Sequence, residues 1–81
     1  MSFVVYILFS DSLGKFYVGQ TQNLDSRLRM HNGRRVNFTA KGVPWKLFYT
    51  FECSDRSTAM QLESKIKKRG IKRHLQDLGL Q

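Results

Sequence analysis

Eighty-one residues, with one Trp, three Tyr and six Phe for a core, are enough for one small folded unit and leave no room for a second. Fourteen Lys and Arg against six Asp and Glu give a net charge of +8, an excess that points to a polyanionic partner. The composition excludes fibrous and disordered chains. Nucleic acid is the leading partner, and an anionic membrane surface ranks below it because no segment joins a basic face to a broad apolar one. The single Cys53 cannot form an internal disulfide, and with only His31 and His74 for company it cannot complete a zinc cage, so it reads as a small, half-buried hydrophobe.

Residues 3–9, Phe-Val-Val-Tyr-Ile-Leu-Phe, are apolar throughout and rich in β-branched and aromatic types, which predicts a strand covered on both faces. The run is too short to span a bilayer and lacks the marks of a signal peptide, so a reducing cytoplasm is the expected location. Ser10 to Gly14 is turn chemistry, and Lys15 to Gln20 reads as the second strand of a hairpin. Asn23 is a fitting N-cap for a helix with Leu24, Arg27, Leu28 and His31 on one face, closed by Asn32-Gly33. Residues 34–44 read as a basic loop ending at Pro44, and residues 45–51 as the third strand. Ser54 or Asp55 caps a second helix with Ala59, Leu62 and Ile66 inward and Gly70 as its stop. Ile71, Leu75 and Leu78 suggest a short last helix. The expected fold is α+β, a small three-stranded and mostly antiparallel sheet flanked by helices, in the order β-β-α-β-α-α over residues 1–81.

Two charged residues break the polar-out rule. Glu63 falls inside the apolar stripe of the second helix, four residues after Ala59 and three before Ile66. Left alone there, its carboxylate carries a desolvation cost of several kcal/mol, on the order of other buried charges, so a cation should meet it. A salt bridge at the edge of the core and a metal ligand both satisfy that demand. Arg27 likewise shares the inward face of the first helix, and its forked donors suit a carboxylate, Glu63 included, or a phosphate. Tyr6 and Tyr17 lie in the first two strands and share a sheet face if paired residue numbers in the hairpin sum to an odd value. Packing is the commoner use of a strand tyrosine, and a phenol titrating near pH 10 needs a neighbouring cation before it acts as a base. His31, taken alone, reads as a surface histidine at a helix end.

Positive charge is spread over Arg34, Arg35, Lys41, Lys46 and Lys65, then over Lys67, Lys68, Arg69, Lys72 and Arg73. The last five form either a solvated helical face or a patch for phosphate contacts that hold position and affinity without reading sequence. Phe38 and Trp45 flank the basic loop and are candidates to stack on an unpaired base, with core packing the stronger expectation for Trp45. Phosphate-cradling glycine loops, metal-spaced Cys/His sets and Ser-His-Asp arrangements are missing.

Val4-Val5-Tyr6, followed about ten residues later by Tyr17-Val18-Gly19, resembles the paired tripeptides of the GIY-YIG nucleases. Asn23-Leu24 leading to Arg27, then His31-Asn32 and the helix bearing Glu63, follow in that family's order, so the likeness covers residues 3 to about 70. It is nearest to the small bacterial proteins consisting of this domain alone. Val4 stands where the family name has glycine, a change familiar in that branch.

The resemblance implies that Glu63 holds one Mg²⁺ or Mn²⁺, Arg27 steadies the scissile phosphate, and Tyr17 activates the attacking water. Tyr6 would serve as hydrogen-bonding partner or alternate base, His31 would hold or relay a proton, and Gly19 would let the backbone pass close beneath the site. The implied function is metal-dependent hydrolysis of DNA, more than RNA, by non-sequence-specific or structure-directed binding, in repair or recombination, with a monomer as the default. A non-catalytic nucleic-acid adaptor and a module for an acidic protein partner are the alternatives.

Overall fold

The computed structural model describes residues 2–33 and 39–79. Three strands, β1 (Phe3–Ser10), β2 (Lys15–Thr21) and β3 (Trp45–Cys53), form one antiparallel sheet in the order β2-β1-β3. Helix α1 (Leu24–Asn32) follows β2, while α2 (Arg56–Arg69) and α3 (Ile71–Asp77) follow β3, giving the expected order. A 3-10 turn at Ala40–Gly42 lies in the described part of the segment read as loop. The third strand runs two residues beyond its expected end at Phe51, because Cys53 and Phe3 still pair across the sheet.

β1 is apolar from Phe3 through Phe9 because it is the central strand with both faces covered, and only its last residue, the buried Ser10, is polar. Val5 and Ile7 turn toward α2 and α3, joining Val18, Cys53, Ala59, Ile66 and Leu75 in one core. Tyr6 and Leu8 turn the other way and pack with Trp45, Leu24 and Leu28 under α1. The sheet is therefore sandwiched between α1 and the α2–α3 pair.

Local signals set the helix ends. Asn23 caps α1, its side-chain oxygen accepting from the Ser26 amide at 3.0 Å, and Asp55 rather than Ser54 caps α2, accepting from Thr58 at 2.7 Å. Gly70, at φ 94°, stops α2 in a conformation that disfavours a side chain. Ile71 and Leu75 pack inward as expected, but Leu78 does not: α3 ends at Asp77, so Leu78 leaves the helical stripe and is 47% exposed. Cys53 is a free thiol and is buried rather than half-buried. No described helix is long and apolar enough to cross a membrane.

Candidate active site

The hairpin register decides where the tyrosines go. Tyr6 pairs with Gly19 and Tyr17 with Leu8, so paired numbers sum to an odd value and both phenols share the α1 face of the sheet. Their ring centroids are 6.5 Å apart. Gly19 makes this packing possible: a Cβ built on it would collide with the Tyr6 ring, only 2.7 Å from Cζ. The glycine is needed here for room beneath an aromatic ring.

His31 is fully buried, which corrects its reading as a surface histidine. Its Nε2 lies 2.9 Å from the Tyr6 hydroxyl and its Nδ1 2.7 Å from Thr39 Oγ1. Thr39 in turn accepts a hydrogen bond from Trp45 Nε1 through its carbonyl, at 2.7 Å. Beside it, Asn32 brackets the backbone of Trp45, donating to the carbonyl at 3.1 Å and accepting from the amide at 2.6 Å. Consecutive residues at the end of α1 thus tie the helix to the start of β3. Burial, with Arg27 adding to it, pushes the His31 pKa below its ordinary value, so the ring is neutral at pH 7.

Arg27 leans over the sheet as its helix position predicts, beside the Tyr6 hydroxyl. A guanidinium only donates, so with it on one side the Tyr6 proton is directed to His31 Nε2. That assigns the neutral ring its hydrogen on Nδ1, facing Thr39. Burial raises the Tyr6 pKa and outweighs the opposing pull of Arg27, so this phenol stays protonated. The Arg27 Nε is buried and has no hydrogen-bond partner among the described residues. Glu63, one of the partners the sequence left open to it, is paired with Lys67 instead.

Glu63 approaches from α2, across the β2 edge, and its side chain is only 20% exposed. It pairs with Lys67 at 2.8 Å, one helical turn on, and not with Arg27. Its negative charge is felt at Tyr6, where it adds to the upward push on that phenol. Lys67 is the hinge of the arrangement: it lines one depression with Glu63 and Gln20, and a second with Tyr17. Tyr17, half-buried, packs edge-on to His31 at 5.0 Å and to Trp45 at 6.2 Å. Tyr6, Arg27 and His31 therefore stand in direct association, Tyr17 stacks against them, and Glu63 reaches the group through its charge and through Lys67.

The basic patch divides. Arg69 forms a two-pronged pair with Asp77 at 2.9 and 3.1 Å, and Lys67 is engaged by Glu63, so two of the five helical cations have acid partners the sequence reading did not give them. Lys68, Lys72 and Arg73 are exposed, as is Lys41, and Lys46 pairs with Asp11. Arg34, Arg35 and Phe38 lie outside the described residues. Trp45 is buried, 5% exposed, and serves the core rather than a base. Thr39 and the Glu63–Lys67 contact escaped the sequence reading. Spacing at i, i+4 would have found the second, while nothing local marks Thr39.

Two strand phenols, a helix arginine and a helix carboxylate gathered about one edge of an antiparallel sheet define a class of small α+β domain. Comparison with known proteins narrows it: the family described as the GIY-YIG catalytic domain matches residues 2–76, and the chain belongs to that nuclease superfamily. It is similar to a UPF0213 protein of Bacillus licheniformis, at 39% identity over 56 residues, covering 68% of this chain and 58% of that one. A UPF0213 protein of Oceanobacillus iheyensis is 38% identical over 53 residues, 64% of this chain and 62% of the other. The matched stretch thus spans about three-fifths of each relative. The solution NMR structure of a UPF0213 protein from Bacillus halodurans is similar over 100% of this chain and 86% of its own, with a TM-score of 0.61 and 28% identity.

Proposed function

We propose that the chain is a metal-dependent endonuclease that hydrolyses DNA phosphodiester bonds without reading sequence, as in repair or recombination. One observation carries the reading most: the buried, unpartnered Arg27 Nε beside two phenols is a donor set prepared for an anion. The Nε has almost no surface open to solvent, so a phosphate oxygen meets it once the Arg27 side chain turns toward the substrate.

The donor chemistry fits a single hard cation. No group of three or more His, Cys, Asp or Glu gathers among the described residues, and one half-shielded carboxylate suits Mg²⁺ or Mn²⁺, which keep waters and complete their shell with substrate oxygens. Glu63 would hold it once Lys67 swings aside, an easy motion for a lysine whose side chain is 60% exposed. Such an ion, when bound, neutralises phosphate charge and acidifies water. Arg27 clamps the scissile phosphate and stabilises the charge that grows on it. Tyr17, the phenol with access to solvent, holds the attacking water, and as phenolate it accepts that water's proton and becomes the phenol. Tyr6 stays protonated and fixes Arg27 on one side and the neutral His31 on the other. Thr39 locks the imidazole so that this chain of bonds keeps one orientation.

A second reading has its own observation. Lys67 already satisfies Glu63, as it would in an adaptor that binds nucleic acid and never cuts. Purified protein, given Mg²⁺ or Mn²⁺, should nick single-stranded or branched DNA, stop on addition of a chelator, and lose the activity in Glu63→Ala. Binding with no cutting across metals and substrates establishes the adaptor instead.

A further inference from the structure

Three depressions follow one another along the free edge of β2. The first, about 200 Å³, contains Glu63, Lys67 and Gln20. The second, about 350 Å³, has Phe16, Val18 and Ile71 with Tyr17 and Lys67. The third, about 580 Å³, is formed by the β1–β2 turn and the α2–α3 junction, with Lys15, Lys72 and Arg73 around Phe16 and Ile71. Lys67 is common to the first two, and Phe16 and Ile71 to the last two, so the three adjoin as segments of a groove leading away from the site. The strand from Lys15 to Gln20 gives it a length of about 17 Å at roughly 3.3 Å per residue.

Resting on the nuclease reading, we propose that this groove holds an unpaired nucleic-acid strand flanking the reacting phosphate. Charge chooses a polyanion. The outer two depressions have no acidic residue in their walls, and Lys15, Lys72 and Arg73 form no ion pair among the described residues, whereas the neighbouring Arg69 is held by Asp77. The floor chooses an unpaired strand over a duplex. A duplex presents rows of phosphates with its bases turned inward, and half-buried Phe16, with Val18 and Ile71 beside it, offers those phosphates nothing. An unpaired strand alternates phosphates with exposed base faces, matching cations at the ends and an aromatic ring between them.

The test is fluorescence anisotropy without divalent metal, comparing a labelled twelve-residue oligothymidylate with a twelve-base-pair duplex. The triple change Lys15→Glu, Lys72→Glu, Arg73→Glu should lower affinity for the single strand at least tenfold and flatten its log–log salt slope by about 2, at roughly 0.7 per phosphate contact. Phe16→Leu, which keeps an apolar side chain, should weaken the single strand about fivefold and leave the duplex unchanged. Wild-type affinity in the triple variant, or equal losses for strand and duplex with Phe16→Leu neutral, overturns the proposal. A wild type that cuts nothing but loses single-strand binding in the triple variant upholds the groove and removes catalysis. A wild type that cuts, with a triple variant that binds and cuts alike, does the reverse.

Discussion

At the residue scale, the helical repeat is what exposes the site. Glu63 and Arg27 stand out because each puts a charge where water is scarce, and the hairpin parity rule brings Tyr6 and Tyr17 onto one face. The burial of His31 was not legible, since it depends on Thr39 closing over the ring from eight residues further along the chain. That burial has a pH signature. The folded His31 pKa lies below its ordinary 6.5, so as pH falls the unfolded chain binds the proton first. Stability is full above pH 6.5, declines as pH drops through that value, and levels off once the folded ring is also protonated. Thermal melts between pH 7 and 5 should show this decline, and His31→Gln should have a shallower one. Asp55 and Asp77, both held below 3.8, add losses of the same sign only in more acid solution. An identical slope in His31→Gln excludes the buried neutral imidazole. Gly19→Ala should displace the Tyr6 ring, lowering Tm and cutting activity together, because its methyl and the phenol need the same space.

At the element scale, capping and apolar spacing predicted the α-helices of the described residues, and apart from the 3-10 turn the misreadings occur at ends. Leu78 completes the i, i+4, i+7 pattern of Ile71 and Leu75 on paper, but α3 has already stopped, and β3 outruns its expected limit because pairing with β1 sustains it. The segment after α1 shows no periodicity to read, and its 3-10 turn is stabilised by contacts made elsewhere, with the Trp45 ring packed against Gly42. Helix α1 carries both Arg27 and His31, so its cap affects function. Asn23→Ala removes the bond to Ser26 and should cost about 1 kcal/mol in a denaturant titration, with the m-value unchanged. Leu75→Ala should cost about 2–5 kcal/mol, since this fully buried side chain joins α3 to the core. A loss for Leu75→Ala no larger than for Asn23→Ala would show that α3 is not docked as described.

At the scale of the whole molecule, a net charge of +8 on 81 residues makes any nucleic-acid affinity strongly dependent on salt. Ion pairing changes which charges count: Lys67 and Arg69 have acid partners, while Lys15, Lys72 and Arg73 form no ion pair among the described residues. Sequence alone found the amount of charge and missed its division: the Arg69–Asp77 pair depends on how α2 meets α3, while the Glu63–Lys67 pair was legible in its i, i+4 spacing. Family membership sets the superfamily, and the arrangement around the β2 edge sets what this chain should do within it. The most direct check is to measure cutting and binding side by side in wild type and Glu63→Gln, which keeps the size of the side chain and removes its charge. Binding should hold within a few-fold while the cutting rate falls at least about a hundredfold. A Glu63→Gln protein that cuts as fast as wild type would place the chemistry somewhere other than this site.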